Sequence, residues 1–184
     1  MIFNELSECC ARNYNATPCE NENCMHRNIQ NVIKYIDEAK YTIDFAMYTF
    51  TVIGIMNALI EAYKRGVNIR IITDNEMLCS SGGKMSYLET ELPIDIRVPQ
   101  LKTVMMHHKF MVIDGHRGVY DTVGKIPPPF KVEPYRPLVL TGSVNWTMQG
   151  FGGNWENCLV TTDIVTVTKL EEEFYRMWDV SNSI

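Results

Sequence analysis

The sequence predicts an α/β fold built around a β-sheet, because strand-like and helix-like segments alternate along it, glycine or proline closes the helical ones, and no tandem repeat is present. At 184 residues and 46% hydrophobic content, the chain is long enough for one domain with a substantial core. The first 26 residues hold four of the six cysteines and little periodicity. They read as a segment of metal or disulfide chemistry, 1–26, ahead of a single domain over 27–184.

In order along that domain, Ile29, Val32, Ile33 and Ile36 recur at helical spacing, and TIDFAMYTF reads as a strand. Ile53 to Arg65 predicts a helix stopped by Gly66, VNIRIITD a buried strand, and Lys84 to Leu92 a helix ended before Pro93. IDIRV, HHKFMVID, LVLTGS and ENCLVTTD predict four further strands. Val167, Leu170, Phe174, Met177 and Trp178 mark a final helix. Between Asp114 and Gly142 lie 27 residues that include Pro127, Pro128, Pro129, Pro134 and Pro137, a density no central strand tolerates, so 115–136 reads mainly as an inserted proline-rich loop.

A net charge of −5 and a pI near 5.4 provide no global attraction to nucleic acid or to an anionic membrane, so a polyanion would have to meet a local patch. Lys64, Arg65, Arg70, Lys84, Arg97, Lys102 and Lys109 are the candidates for one, with scattered surface charge as the alternative. No apolar run approaches the ~20 residues of a spanning helix, and MIFNELSECC lacks the apolar core of a signal peptide. The chain as given reads as soluble, with room for an anchor upstream of it.

The residues that suggest a reaction are His107, Lys109 and Asp114 in MHHKFMVIDG, followed by Gly142, Ser143 and Asn145 in TGSVNWT. His107 and Lys109 are two apart in a strand-like run, so both side chains leave one face and can converge on one anion. A histidine beside a fixed cation suits attack on phosphorus: His107 is the expected nucleophile, and Lys109 the charge that stabilises the transition state. Asp114 falls on the other face by parity and is expected to brace backbone or a neighbouring cation. Asn145 and Ser143 can donate to the same phosphate oxygen. His108 points away and reads as structural.

The spacing H-x-K-x4-D with a later G-S-x-N resembles the phospholipase D superfamily, in one copy where many members hold two. The resemblance implies a mixed β-sheet flanked by helices on both faces. It also places an acidic residue, here Glu156, against the nucleophilic histidine. A second motif is needed to protonate the leaving oxygen, so a single copy implies a homodimer with a shared site. The scheme requires no catalytic metal.

Cys19, Cys24 and His26 lie close in sequence, with Cys9 or Cys10 upstream. Three thiolates and an imidazole make a closed structural zinc site, Cys9 being the favoured first ligand; a disulfide pair in a secreted protein is the alternative. With HHKF, GSVNWT and the E-N-C strand, this cluster looks like the Zucchini endonucleases, also known as mitochondrial cardiolipin hydrolases. That resemblance implies a homodimer on the cytosolic face of the mitochondrial outer membrane, held by an N-terminal membrane anchor absent from this chain. It implies cleavage of single-stranded RNA (and, chemically, single-stranded DNA) in piRNA biogenesis, with cardiolipin as the alternative substrate. A non-catalytic RNA-binding scaffold is the remaining alternative.

Overall fold

Parity along β2 (Thr42–Met47) decides which helix covers which face of the sheet. All six of its residues are buried, so both faces are covered. Ile43, Phe45 and Met47 join Ile69, Ile71, Met111, Ile113, Leu138 and Leu140 in one cluster. That cluster packs under α1 (Met25–Asp37), through Met25, Ile29, Val32 and Ile36, and under α2 (Ile53–Lys64), through Ile55 and Leu59. Ala46, Ile72, Phe110, Val112 and Val139 face the other way and pack on Val167, Phe174, Met177 and Trp178 of α6 (Ile164–Asp179). Each large side chain fully buried there stabilises the fold by roughly 1.5–3 kcal/mol. Helices thus flank both faces of the sheet.

The computed structural model describes residues 1–3, 19–78, 87–88, 92–101, 103–126 and 131–184. Among these, the strands are β1 (Ile2–Phe3), β2, β3 (Asn68–Ile72), β4 (Asp95–Pro99), β5 (Lys109–Ile113), β6 (Leu138–Gly142), β7 (Glu156–Thr161) and β8 (Ser181–Ser183). They form one sheet in the order β1-β7-β6-β5-β2-β3-β4-β8. β2, β3 and β4 run parallel, while β5, β6 and β7 alternate antiparallel beyond β2. α2 ends at Gly66, whose φ of 91° is open to glycine and strained for other residues. The short α3 (Asn75–Leu78) follows β3, and α5 (Met148–Gly152) is capped by Thr147, which accepts from the Gly150 N–H at 2.9 Å.

This topology gathers the chemistry at one end of the sheet. β2 and β6 finish where β5 and β7 begin, with Met47 opposite Lys109, Phe110 opposite Thr141 and Gly142 opposite Cys158. The insertion belongs to the opposite end. It leaves after Ile113 and returns at Leu138, and its 131–136 portion is pinned to the start of β2: the Glu133 N–H donates to the Tyr41 hydroxyl at 2.6 Å, Lys40 donates to the Pro134 carbonyl, and Tyr41 and Tyr135 meet edge to face at 5.7 Å.

Two sequence readings need correction. The segment 115–136 is not loop throughout: α4 (His116–Val123) occupies 8 residues near its start, with Val119 buried and Gly118 close against Thr42. The prolines begin only after that helix has ended, so their density said nothing about the residues before them. The strand at the catalytic motif starts at Lys109, and His107 and His108 precede it as extended chain, the Tyr48 N–H donating to the His108 carbonyl at 3.2 Å. The helix expected over Lys84 to Leu92 falls largely outside the described residues.

Candidate active site

His107 and Lys109 come together as their spacing requires. Lys109 Nζ lies 3.3 Å from His107 Nε2 and donates to the His107 carbonyl at 2.9 Å. An ammonium has only donors, so this contact is attractive only in the tautomer whose Nε2 lone pair faces Lys109. The Tyr48 ring flanks both groups, 4.9 Å from the imidazole centroid and 5.4 Å from the ammonium. His107 is exposed and Lys109 half-buried. His108 turns to the α6 face, 3.4 Å from Glu173 and edge-on to Phe110.

The second half of the site is built on β6 and β7. Gly142 is required where β6 ends, because a Cβ there would collide with the Asn157 carbonyl. Ser143 donates to Glu156 Oε2 and accepts from the Asn157 N–H at 3.1 Å, which fixes its rotamer. Trp146 sits beneath, 4.7 Å from the Phe45 ring, and its backbone bonds to Thr49 and Thr51 tie this turn to the chain that follows Tyr48. Asn145 rides on that anchor, and its Oδ1 is buried without a hydrogen-bond partner, a cost that functional sites retain.

Glu156 departs from the expectation that it holds the imidazole. Its carboxylate is taken by Ser143 and, at 3.2 Å, by the Asn154 amide. The reason is topological: β6 stands between β7 and β5, so a side chain at the head of β7 reaches β6 first. Its charge still acts on the site. Partial burial lowers the Lys109 ammonium below the usual lysine range, and Glu156 holds it up against that.

The expected basic patch does not assemble. Arg70 is locked to Asp44 by two bonds of 2.7 and 2.8 Å, Arg97 lies over Trp178, Lys64 pairs with Glu61 and Arg65 donates to the Ile36 carbonyl; Lys84 and Lys102 lie outside the described residues. Lys109 alone of the described candidates reaches the site.

A family model described as "Cardiolipin synthase, PLD-like domain" matches residues 32–178, which includes every element that supplies this site. The chain belongs to the phospholipase D-like family. It is 42% identical to a mitochondrial cardiolipin hydrolase of Drosophila melanogaster, over 97% of this chain and 74% of that one. It is 33% identical to one of Xenopus laevis, over 77% of this chain and 56% of that one. These matches assign it to the Zucchini branch. Two solved structures share the fold: NucT from Helicobacter pylori (TM-score 0.68, 21% identity, 87% of this chain and 92% of that one) and the phospholipase D family member Nuc from Salmonella typhimurium (TM-score 0.66, 24% identity, 85% and 90%). The protein is an enzyme of the phospholipase D superfamily.

In this phospholipase D-like site Asp114 is a brace. It ends β5 at a φ of 50°, is 2% exposed, and accepts the N–H groups of Lys40, Tyr41 and Thr42 at 2.7–2.9 Å. It sits at the sheet end opposite His107. Asp114→Ala would leave those donors unpaired and is expected to lower stability by about 3 kcal/mol or more in urea unfolding. An unchanged midpoint would refute the bracing role.

Sequence reasoning missed the residues that position His107. Asp74, 4% exposed, accepts the Met106 N–H at 2.8 Å and the Glu76 N–H at 2.9 Å, and the Thr73 hydroxyl donates to the Met47 carbonyl at 3.0 Å. One dipeptide at the end of β3 thus holds the chain entering His107 and the chain entering Tyr48. Its signal in the sequence was a polar pair closing a buried strand, which reads equally as a turn.

Cys24 starts α1 and His26 lies in its first turn, both buried; Cys19 is half-buried and its carbonyl accepts from Arg27. Cys9 and Cys10 lie outside the described residues, and among the described residues no group of three His, Cys, Asp or Glu side chains is arranged to hold a metal ion. The described residues alone do not make the zinc site. Cys158 is core, its thiol pushed up to about 11 by burial, while Cys79 is outside the described residues. No described helix is long and apolar enough to cross a membrane.

Proposed function

We propose that the protein is a metal-independent phosphodiesterase that cuts single-stranded RNA through a phosphohistidine, leaving 5′-phosphate ends, and that it serves piRNA biogenesis at the mitochondrial outer membrane, cytosolic face. The observation that carries the chemistry is the approach of Lys109 Nζ to within 3.3 Å of His107 Nε2 at an exposed end of the sheet. In the first step Nε2 bonds to phosphorus in line as the bond to the departing 3′-oxygen breaks, and that oxygen takes a proton from a general acid. In the second, water attacks phosphorus, the P–N bond breaks, and the resulting base accepts the water's proton. Lys109 stabilises the phosphoryl oxygens and Asn145 contributes its amide as a donor, while Ser143 contributes its hydroxyl only on releasing Glu156. The acid comes from the His107 of a second copy across a two-fold axis, because one chain carries one motif. Trp155, 80% exposed immediately before Glu156, offers a face on which an unpaired base can stack.

Cardiolipin hydrolysis to phosphatidic acid is the second reading. It is supported by the names of the relatives in fly and frog and by Leu101, Val104 and Met105, all more than half exposed just upstream of His107. A side-by-side assay in EDTA on end-labelled single strands, duplexes and cardiolipin vesicles decides between them. The expected result is His107-dependent cleavage of single-stranded RNA and DNA, poor cleavage of duplex, and weaker binding as salt rises. Lipid turnover without strand cleavage would make the hydrolase primary, and loss of both with retained RNA binding would leave a scaffold.

We retain structural zinc as a proposal for the N-terminal segment, held by Cys9, Cys19, Cys24 and His26. One zinc per chain is expected to co-purify, and Cys24→Ser to lower stability before activity. Absence of zinc together with cysteines oxidised in pairs would overturn it.

A further inference from the structure

β2 ends at Met47, and the chain bends at Tyr48 instead of continuing the strand. Strict alternation would have sent the Tyr48 side chain toward α6 with Ala46; after the bend its ring lies against His107 and Lys109. The Tyr48 and imidazole centroids are 4.9 Å apart at a tilt of 58°, and the Lys109 ammonium is 5.4 Å from the Tyr48 centroid, within cation–π range. Three backbone bonds hold the chain that carries this ring. The Tyr48 N–H donates to the His108 carbonyl at 3.2 Å, the Thr73 hydroxyl donates to the Met47 carbonyl at 3.0 Å, and the Trp146 N–H donates to the Thr49 carbonyl at 3.1 Å. The position of the ring is therefore set by β3, by the chain entering β5 and by the turn after β6.

The imidazole needs such a holder. His107 is exposed on extended chain, and the Glu156 carboxylate is taken by Ser143 and Asn154. Among the described residues, the imidazole's polar and ring contacts are Lys109 and Tyr48 alone. A ring free to turn about its side-chain bonds would present Nε2 in line with phosphorus only part of the time. Burial also disfavours the charge on Lys109, and the π face of Tyr48 returns part of the attraction that water would have supplied. Among the described residues the Tyr48 hydroxyl makes no hydrogen bond, so the contact belongs to the ring.

We propose that Tyr48 is a positioning residue of this site: its ring holds the His107 imidazole and the Lys109 ammonium in one arrangement for attack on phosphorus, a task that needs the ring and not the hydroxyl. The inference rests on the phosphohistidine reading above and deepens it, whichever phosphodiester is cut.

The test follows hydrolysis of methyl p-nitrophenyl phosphate by the whole chain in EDTA. Its nitrophenolate leaves without a proton and it carries no base, so turnover reports on attack rather than on the general acid or on base stacking. Tyr48→Phe should keep kcat within about threefold of wild type, whereas Tyr48→Leu should lose about 10–100-fold in kcat with KM changed by less than about threefold. The alkaline limb of kcat/KM should stay in place in Tyr48→Phe and move to lower pH in Tyr48→Leu. His107, on the same strand-like run, and Glu156, on β7, are the other titratable groups facing Lys109, and both variants leave them unchanged. Equal losses in the two variants would overturn the proposal in favour of the hydroxyl. A raised KM at constant kcat would overturn it in favour of a substrate contact, and unchanged kinetics in folded Tyr48→Leu would remove the ring from the mechanism. If Tyr48→Leu does not fold, the wild-type protein and Tyr48→Phe carry the test: the Lys109 ε-methylene protons are expected upfield of ordinary lysine positions in both, and ordinary positions would overturn the proposal. Turnover that persists in His107→Asn would instead remove the phosphohistidine reading itself, so the two failures are told apart.

Discussion

His107→Asn is expected to fold normally and lose turnover by at least about 10⁴-fold, the scale seen when a covalent nucleophile is deleted. Folding should survive because the ring is exposed and contributes no buried contact beyond the face of Tyr48. A melting temperature within a few degrees of wild type and a rate at the level of the uncatalysed control are the two readings. Asparagine keeps a polar group at the position but has no lone pair basic enough to bond phosphorus. Under the two-fold scheme the substitution removes the general acid of the opposite site as well. Mixed dimers of His107→Asn and wild-type chains should therefore be less active than their wild-type content predicts. Activity in verified heterodimers that tracks the wild-type fraction would mean each chain works alone, and wild-type cleavage by the folded mutant would remove His107 from the mechanism.

Lys109→Ala is expected to cost about 10²–10³-fold in kcat with a smaller change in KM, since the ammonium acts on charge that builds in the transition state. The pH profile provides an independent check. The charged form is the active one, so rate is lost as pH rises through the Lys109 pKa. Burial lowers that pKa, which places the alkaline limb of kcat/KM below the range of an ordinary lysine. Glu156 raises it, so Glu156→Gln should lower it further and move the limb to lower pH, apart from any loss of maximal rate. A limb that stays in place in Glu156→Gln, or that persists in Lys109→Ala, would detach the pH dependence from this pair.

Most of the sheet was legible because its strands are buried on both faces and its helices end at glycine or carry a clear apolar stripe. Ile29, Val32 and Ile36 on α1, and Val167, Phe174 and Met177 on α6, pack where their spacing put them. The failures share a cause. β1 and β8 are two and three residues long, too short for any period to register, and exist only because β7 and β4 offer them an edge. α4 was hidden by the prolines that follow it.

The sequence by itself determined the reacting pair: two residues apart in extended chain, His107 and Lys109 must share a face, and no tertiary contact is needed to bring them within 3.3 Å. Asp114, expected on the opposite face, instead lies at the opposite end of β5 as a backbone brace. Only the tertiary structure decided what surrounds that pair. Glu156 reaches Ser143 rather than the imidazole because strand order puts β6 between them. Asp74, 32 residues before Met106, fixes the approach to His107 because β3 finishes at the end of the sheet where β5 begins. The basic residues that look clustered in sequence are dispersed by the fold, Arg70 being spent on Asp44 across β2 and β3. Local geometry follows from backbone period, which a sequence displays. The partner of a charge depends on strand order and register, which arise only when distant segments pack.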